Sequence, residues 1–348
     1  MKILIVTNMY PSKQKAYAGI FVKNQYNEIK RILPIEDTVD IFFMKRQFTS
    51  KLGSILKYFK AFANFVPYLF RRYDIVHLHF FHPLIYLVWL YKKIHPNCKV
   101  VVTFHGIDIT DKVHANNKKH FQKLAKAVDY TIPVGITLAK MVSEKLKLSI
   151  GSILPVGVNN DVFFKEQSIK KSYDFIFIGS FTERKGIDTV IEAIQLLNQR
   201  DISFCFCGSG KYKEQLEDLQ KSKFNITIKQ NQTQPELRKL LNQSRVFILM
   251  SRNEGFPTAT IESMYCGVPV ITSDIPQFRE QISEGTNGFI VPLGDAVELS
   301  KTIKNIHEIK ATEYHKLSEG ALNSFKELSL QNVCKQIYNI YKDLLKSA

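Results

Sequence analysis

The sequence predicts an α/β protein of two Rossmann-like units, each a parallel sheet with helical crossovers, and three observations carry that expectation. Strand-like apolar runs recur at 3–7, 39–43, 75–78, 100–104, 175–178, 204–207, 246–250 and 270–272, with helix-like segments between them. The pattern breaks at a polar stretch, 165–172, and restarts with a fresh buried strand. The length, 348 residues, suits two domains that each bury a core. The expected division is 1–167, 168–330, and a terminal helical stretch 331–348 with Ile337, Ile340, Tyr341 and Leu344 on one face.

Composition narrows the class. With 45% hydrophobic and 23% charged residues the chain reads as a globular protein. Met1 to Thr7 reads as a buried strand rather than a secretory signal, and the apolar run 85–91 is far too short to span a membrane. Cys98, Cys205, Cys207, Cys266 and Cys334 are odd in number and contain no Cys-x-x-Cys pair, so neither a disulfide framework nor a zinc site is expected; a reducing cytoplasm is the default. Charge is uneven: up to residue 167 there are 25 Lys+Arg against 11 Asp+Glu, which accounts for +14 of the net +16. That asymmetry predicts an anionic partner for the first half, attracted over a range that salt would shorten.

Taken in order, the first half offers several candidate residues. Gly19, in Lys15-Ala16-Tyr17-Ala18-Gly19-Ile20-Phe21-Val22, follows the first strand and opens a helix, where the lack of a side chain lets backbone amides approach a phosphate. From Met44 to Tyr73 the chain carries Lys45, Arg46, Lys51, Lys57, Lys60, Arg71 and Arg72 without an acidic residue, interleaved with Leu52, Ile55, Leu56, Phe59, Phe62, Phe65 and Leu69. This is either a basic amphipathic surface of the kind that lies on anionic membrane, or an ordinary domain helix with a solvated face. Nucleic acid ranks lower, because no recognition motif accompanies the charge. His77, His79 and His82 have His-x-His spacing but no comparable Cys or carboxylate beside them, and the chain has no Asp-x-Asp string. Core or edge packing is expected for the three histidines, and no metal site. His105 follows a strand and precedes Gly106-Ile107-Asp108; His105 is a structural or a site histidine, and Asp108 a helix cap or a site carboxylate.

The second half is richer. Lys185 precedes Gly186 in the strand-to-helix turn Ile178-Gly179-Ser180-Phe181-Thr182-Glu183-Arg184-Lys185-Gly186-Ile187-Asp188, where a cation would meet a diphosphate; otherwise it is an exposed lysine at a helix start. Gly208-Ser209-Gly210 follows the run 204–207, a Gly-x-Gly that alone reads as a structural turn. In Ser251-Arg252-Asn253-Glu254-Gly255-Phe256-Pro257-Thr258-Ala259-Thr260-Ile261-Glu262-Ser263-Met264 two carboxylates stand eight positions apart. Glu254 falls on a strand-to-helix loop and Glu262 inside the helix. Open α/β sheets bind ligands beyond the carboxyl ends of their strands, where loop amides and helix N-termini face anionic groups. A sugar nucleotide suits such a site, its diphosphate taking amides and cations and its hydroxyls taking carboxylates.

This last segment, continued by Cys266-Gly267-Val268-Pro269-Val270-Ile271-Thr272-Ser273, resembles the glutamate-pair motif of the family 4 retaining glycosyltransferases. Thr103-Phe104-His105-Gly106-Ile107-Asp108, Pro155-Val156-Gly157-Val158-Asn159 and the turn at Ile178 resemble three further landmarks of that family, in its order. The resemblance implies a GT-B fold, two Rossmann-like domains facing across a cleft, with a last helix that commonly crosses back to the first domain. It implies transfer of a sugar from a nucleotide-diphosphate donor to a hydroxyl acceptor with retention and no cofactor, while the lack of an Asp-x-Asp string predicts no chelated metal; the basic, aromatic first half favours a glycan or lipid-linked acceptor, as in cell-surface polysaccharide assembly such as capsule or lipopolysaccharide. Its implied locus is the cytoplasm, or the inner membrane face by way of the basic half. On that resemblance Glu262 would take both ribose hydroxyls, Glu254 and His105 the transferred sugar, and Gly255, Phe256 and Thr258 would frame the pocket with amides that Pro257 lacks. Relatives often carry two glycines where this chain has Ala18-Gly19, and many carry an arginine where it has Ser180. Either Arg184 supplies that guanidinium from another direction or the site works with one cation fewer. The rivals are a sugar-nucleotide epimerase or hydrolase of the same fold, and a non-enzymatic basic membrane or nucleic-acid binder. A nicotinamide dehydrogenase is disfavoured, since no Gly-x-Gly-x-x-Gly follows the first strand.

Overall fold

In the computed structural model the chain divides into two compact units, Met1–Gly157 with Leu330–Ala348, and Val158–Ser329. The structure describes residues 1–12, 19–44 and 51–346, with the backbone alone for 51–57.

The first unit holds strands β1 (Lys2–Thr7), β2 (Thr38–Phe43), β3 (Ile75–His79), β4 (Lys99–Phe104) and β5 (Tyr130–Pro133), all parallel in the order β2-β1-β3-β4-β5. Between them run helices α1 (Ile20–Ile32), α2 (Lys51–Leu69), α3 (Ile85–Ile94), α4 (Ile107–Thr110) and α5 (Lys118–Ala125), and after β5 comes α6 (Ile136–Leu146). Residues 3–7 of β1 and all of β3 are buried without alternation, the pattern of parallel strands covered on both faces.

In the second unit, β6 (Tyr173–Ile178), β7 (Phe204–Cys207), β8 (Ile226–Lys229), β9 (Ser244–Leu249), β10 (Val270–Ser273) and β11 (Gly288–Val291) form a sheet in the order β11-β10-β9-β6-β7-β8. Its helices are α7 (Ile187–Leu197), α8 (Lys213–Lys221), α9 (Gln234–Asn242), α10 (Thr258–Tyr265), α11 (Pro276–Arg279), α12 (Ala296–Glu308) and α13 (Ala311–Ser324). The chain winds outward from β6 through β7 and β8, then returns to lay β9, β10 and β11 on its other side. The reversal falls between β6 and β9, and in the first unit between β1 and β3, which are the crevices where such sheets bind ligands.

The terminal helix α14 (Leu330–Lys346) belongs to the first unit. Val333, Cys334, Ile337 and Tyr341 bury against Ile3, Ile5, Val22, Ile29 and Ile75. Residues 165–172 lie within the second unit, tied down by Lys171 Nζ donating to the carbonyls of Asn242 at 2.9 Å and Ser244 at 2.8 Å. Val158 and Ser329, the two ends of that unit, pair as an isolated bridge.

Eight strands coincide with the apolar runs of the sequence. The other three, β5, β8 and β11, are four residues long and each is an edge strand. Edge strands are covered less, so Lys229 and Gly288 are admitted where a central strand would demand continuous apolar residues. Among the described residues no helix is long and apolar enough to cross a membrane.

Candidate functional site

In the second unit the residues read from the sequence gather at the β6/β9 crevice. Gly179 follows β6, and Glu183–Lys185 form one tight helical turn before α7. Gly186 closes that turn at φ 67°, and a Cβ there would stand 1.8 Å from the carbonyl oxygen of Met250, so only glycine lets the turn lie against the end of β9. This close approach carries Lys185 to the loop beyond β9. There Lys185 Nζ bonds Glu254 Oε1 at 2.5 Å, Ser251 Oγ donates to the same oxygen at 2.6 Å, and Arg184 Nη1 stands 4.0 Å from Glu254 Oε2. The Glu254 side chain is 8% exposed and that of Lys185 18%, so the pair is substantially desolvated. Ser180 is exposed, its hydroxyl 3.2 Å from that of Thr182, while Arg184 also reaches the Asn253 carbonyl at 3.4 Å.

Two residues without an assigned role from the sequence hold this arrangement. Arg252 grips Asp188 through two bonds, at 2.8 and 2.6 Å, donates to the Glu183 carbonyl, and its amide bonds the Arg184 carbonyl at 2.9 Å. The turn that bears both cations is thereby stitched to the loop that bears Glu254. Burial opposes the Asp188 charge, yet Arg252 holds its carboxyl below the ordinary value.

Gly255, Phe256 and Pro257 lead into α10, with Phe256 packed on the core and Pro257 as the cap residue. No side chain caps this helix, so the amides of its first turn, Thr258 among them, are free of a capping acceptor. Glu262 follows one turn later. Among the described residues it makes no hydrogen bond or ion pair, and burial pushes its carboxyl up to about 7. A half-buried carboxylate left without a protein partner is what a hydrogen-bond donor from outside would complete. Gly208 and Gly210 line the turn after β7, against the carbonyls of Gly179 and Phe181.

In the first unit, Gly19 caps α1 at φ 71° and a Cβ would stand 2.4 Å from the Met9 carbonyl oxygen; Lys15 to Ala18 before it lie outside the described residues. His105 follows β4, its ring between those of Phe80 at 4.4 Å and Phe21 at 5.0 Å. Asp108 is 2% exposed and its carboxylate accepts from the amides of Phe81, His105 and Gly106 at 2.8, 3.2 and 2.9 Å, shaping the His105 loop from behind. Burial pushes this carboxyl up to about 6 against the pull of those bonds. His77 and His79 are fully buried on β3, and His79 Nδ1 lies 3.1 Å from His105 Nε2. Among the described residues no group of three His, Cys, Asp or Glu side chains is arranged to hold a metal.

On α2 Phe59 is 75% exposed, with Phe62 and Val66 beside it, and in the turn that follows Phe70 is 84% exposed before Arg71 and Arg72. Trp89 on α3 is also exposed, under Lys93. The side chains of Lys45, Arg46, Lys51, Leu52, Ile55, Leu56 and Lys57 lie outside the described residues.

Residues 158–323 match the family described as glycosyl transferases group 1, and residues 21–161 match glycosyltransferase family 4. The chain is 23% identical to an uncharacterized glycosyltransferase of Methanocaldococcus jannaschii over 99% of both chains. It is 27% identical to the GDP-mannose:cellobiosyl-diphosphopolyprenol alpha-mannosyltransferase of Xanthomonas oryzae pv. oryzae, across 64% of this chain and 61% of that one. In fold it is similar to Anabaena HepE, solved in complex with UDP and glucose, with a TM-score of 0.75 at 14% identity over 99% of this chain and 100% of that one. With two doubly wound units and two family matches that together run from residue 21 to residue 323, the chain belongs to the group 1, family 4 glycosyltransferases and has their GT-B fold.

Proposed function

We propose that the protein moves a sugar from a nucleotide-diphosphate donor to a hydroxyl of a glycan or lipid-linked acceptor, with retention of anomeric configuration and without a metal ion, in cell-surface polysaccharide assembly. The observation that carries this reading is the meeting of Lys185, Arg184 and Glu254 beyond β6 and β9, followed at once by the uncapped α10 and the unpartnered Glu262. Cations and free amides are what a diphosphate needs, and carboxylate acceptors, Glu262 unpartnered and Glu254 held by Lys185 and Ser251, are what ribose and sugar hydroxyls need. On donor binding Lys185 turns from Glu254 to the diphosphate, and Glu254 is released to hold the sugar. The acceptor hydroxyl attacks on the face from which the diphosphate departs, the carbon–oxygen bond to phosphate breaks, and the departing phosphate oxygen takes the acceptor's proton. No side-chain nucleophile is needed, since positioning and charge stabilisation do the work. His105 gives a hydrogen bond to a substrate oxygen.

The likeness to HepE, solved with UDP and glucose, and to the Xanthomonas GDP-mannose:cellobiosyl-diphosphopolyprenol alpha-mannosyltransferase supports a uridine or guanosine diphosphate sugar and a polyprenol-linked acceptor as the first chemistries to try. The exposed aromatics of α2 and α3, set among arginines and lysines, support a peripheral position on an anionic inner membrane face. The test is a thermal-shift series against UDP- and GDP-sugars, on the wild type and on Glu262→Ala. A donor at 100 times its Kd stabilises by about 2.7 kcal/mol. The expected result is one donor that shifts the wild type and not the variant, followed by a product whose anomeric proton coupling matches that of the donor, formed equally with a chelator present. An inverted product or a chelator-sensitive rate overturns the corresponding part of the reading.

A further inference from the structure

Behind His105 stands a row of imidazoles that the reading above does not use. His77 and His79 occupy alternate positions of β3 and so share a face, their rings stacked at 4.5 Å; the His79 ring stacks in turn on that of His105 at 5.4 Å. Every nitrogen of the row but one has a partner. His77 Nδ1 meets Tyr341 OH at 2.5 Å and its Nε2 meets Thr103 Oγ1 at 2.7 Å. His79 Nε2 meets Gln25 Nε2 at 3.2 Å and its Nδ1 meets His105 Nε2 at 3.1 Å. The exception is His105 Nδ1, which makes no hydrogen bond among the described residues. Phe80, at φ 67°, holds its ring against His105 and keeps the imidazole from turning.

The hydrogen-bond chemistry of this chain of contacts has one direction. Burial holds the His79 ring neutral, its pKa down at about 3, and burial likewise pushes His105 well below the ordinary histidine value. A neutral imidazole carries one N–H, and each nitrogen-to-nitrogen bond needs one donor and one acceptor. The direction is set by the Gln25 amide, which turns its nitrogen to His79; in that orientation it donates, His79 Nε2 accepts, and the His79 proton lies on Nδ1. His79 Nδ1–H then donates to His105 Nε2, and the single proton of His105 is left on Nδ1.

We propose that Gln25 and His79 are positioning residues that hold His105 in its Nδ1–H tautomer, so that the ring offers a substrate oxygen a hydrogen-bond donor in place of a lone pair. The proposal rests on the reading of His105 as a substrate-binding residue and adds its polarity. An acceptor hydroxyl or a sugar oxygen is then met by N–H. Ser or Thr at the His105 position lacks this directionality, because a hydroxyl rotates to suit its partner.

The experiment is imidazole nitrogen-15 NMR on full-length protein labelled at histidine, with the His105 signals identified by their loss in His105→Gln. Nitrogen shifts separate protonated from unprotonated ring nitrogens without any substrate. In the wild type His105 is expected as Nδ1–H. In Gln25→Glu the carboxylate accepts from His79 Nε2–H, the direction of the row reverses, and His105 is expected as Nε2–H. His79→Phe keeps a flat ring in the stack and removes both bonds, so His105 should fall to a mixture of tautomers. The reversed variant should lose turnover on the order of 10- to 100-fold with a folded, cooperatively melting protein. A wild-type His105 protonated at Nε2, or a tautomer indifferent to residue 25, overturns the positioning role. A tautomer that reverses while kcat and KM stay at wild-type values removes His105 from the substrate and overturns the reading beneath it.

Discussion

Around the ends of β6 and β9 the second unit sets formal charges against one another, Lys185 with Glu254 and Arg252 with Asp188, whereas along β3 and just past β4 the first unit lines up His77, His79 and His105 with their charge suppressed by burial. The two clusters solve different problems. A charged pair can exchange partners: when an anionic ligand arrives, a lysine that leaves its glutamate loses one charge-assisted bond and gains another of similar strength. A neutral row cannot trade charge, and what it fixes is direction. The charged cluster should therefore govern whether substrate is held and the charge of its leaving group stabilised, and the neutral one how it is aimed.

The comparison breaks most visibly at Glu254. Glu254→Ala removes the partner of Lys185 and the hydroxyl acceptor together, and turnover should fall on the order of 10³-fold, about 4 kcal/mol of barrier. Steady-state rates with a saturating donor check this, and a loss under tenfold would return Glu254 to a purely structural part.

Glu262→Gln should act in two opposite senses. Between pH 4.5 and about 7 the folded protein keeps a proton that the unfolded chain has released, so stability falls as pH rises through that window and the whole penalty is present above it. The variant escapes the penalty: its unliganded form should be more stable than the wild type by up to about 3 kcal/mol at pH 8 and indistinguishable near pH 4. Urea titrations at the two pH values measure this difference, and nucleotide binding should be weakened in the same protein that has become more stable.

Tyr341→Phe tests the far end of the imidazole row. It strands His77 Nδ1, which should cost about 1–2 kcal/mol in a denaturant melt while leaving turnover at the wild-type level. The smallest expected change in stability belongs to Arg252→Lys. A lysine cannot grip Asp188 through two parallel bonds, yet the pair is partly exposed, so stability should fall by no more than about 1 kcal/mol while the turn bearing Lys185 loosens and turnover drops about tenfold. Equal losses of stability and rate would show that Arg252 does no more than hold the fold.

What the sequence disclosed and what it withheld follow from distance along the chain. Glu254 and Glu262 stand eight positions apart, inside one strand–loop–helix passage, and local pattern is enough to put one on a loop and the other on a helix. Lys185 and Glu254 are separated by 69 positions, and only the adjacency of β6 and β9 brings them together. His79 reaches His105 because β3 and β4 run in register, His79 beside Thr103. Histidine spacing within one strand suggests a metal pair or a packed pair, and says nothing of the glutamine on α1 that completes the row. Arg252 and Asp188 were visible inside their motifs but carry no local sign that one holds the other. The edge strands β5, β8 and β11 escaped for a related reason, being too short and too lightly covered to write a continuous apolar run.

One feature of the core bears on how the molecule is made. The second unit is a single stretch, Val158–Ser329, and has all of its residues once that stretch has left the ribosome. The first unit does not: Ile3, Val22 and Ile75 are covered by Val333, Ile337 and Tyr341, which are synthesised after everything in between. During translation its apolar wall stands open while its neighbour already has all of its residues, so the part of the chain made first is the part whose core closes last, when α14 docks.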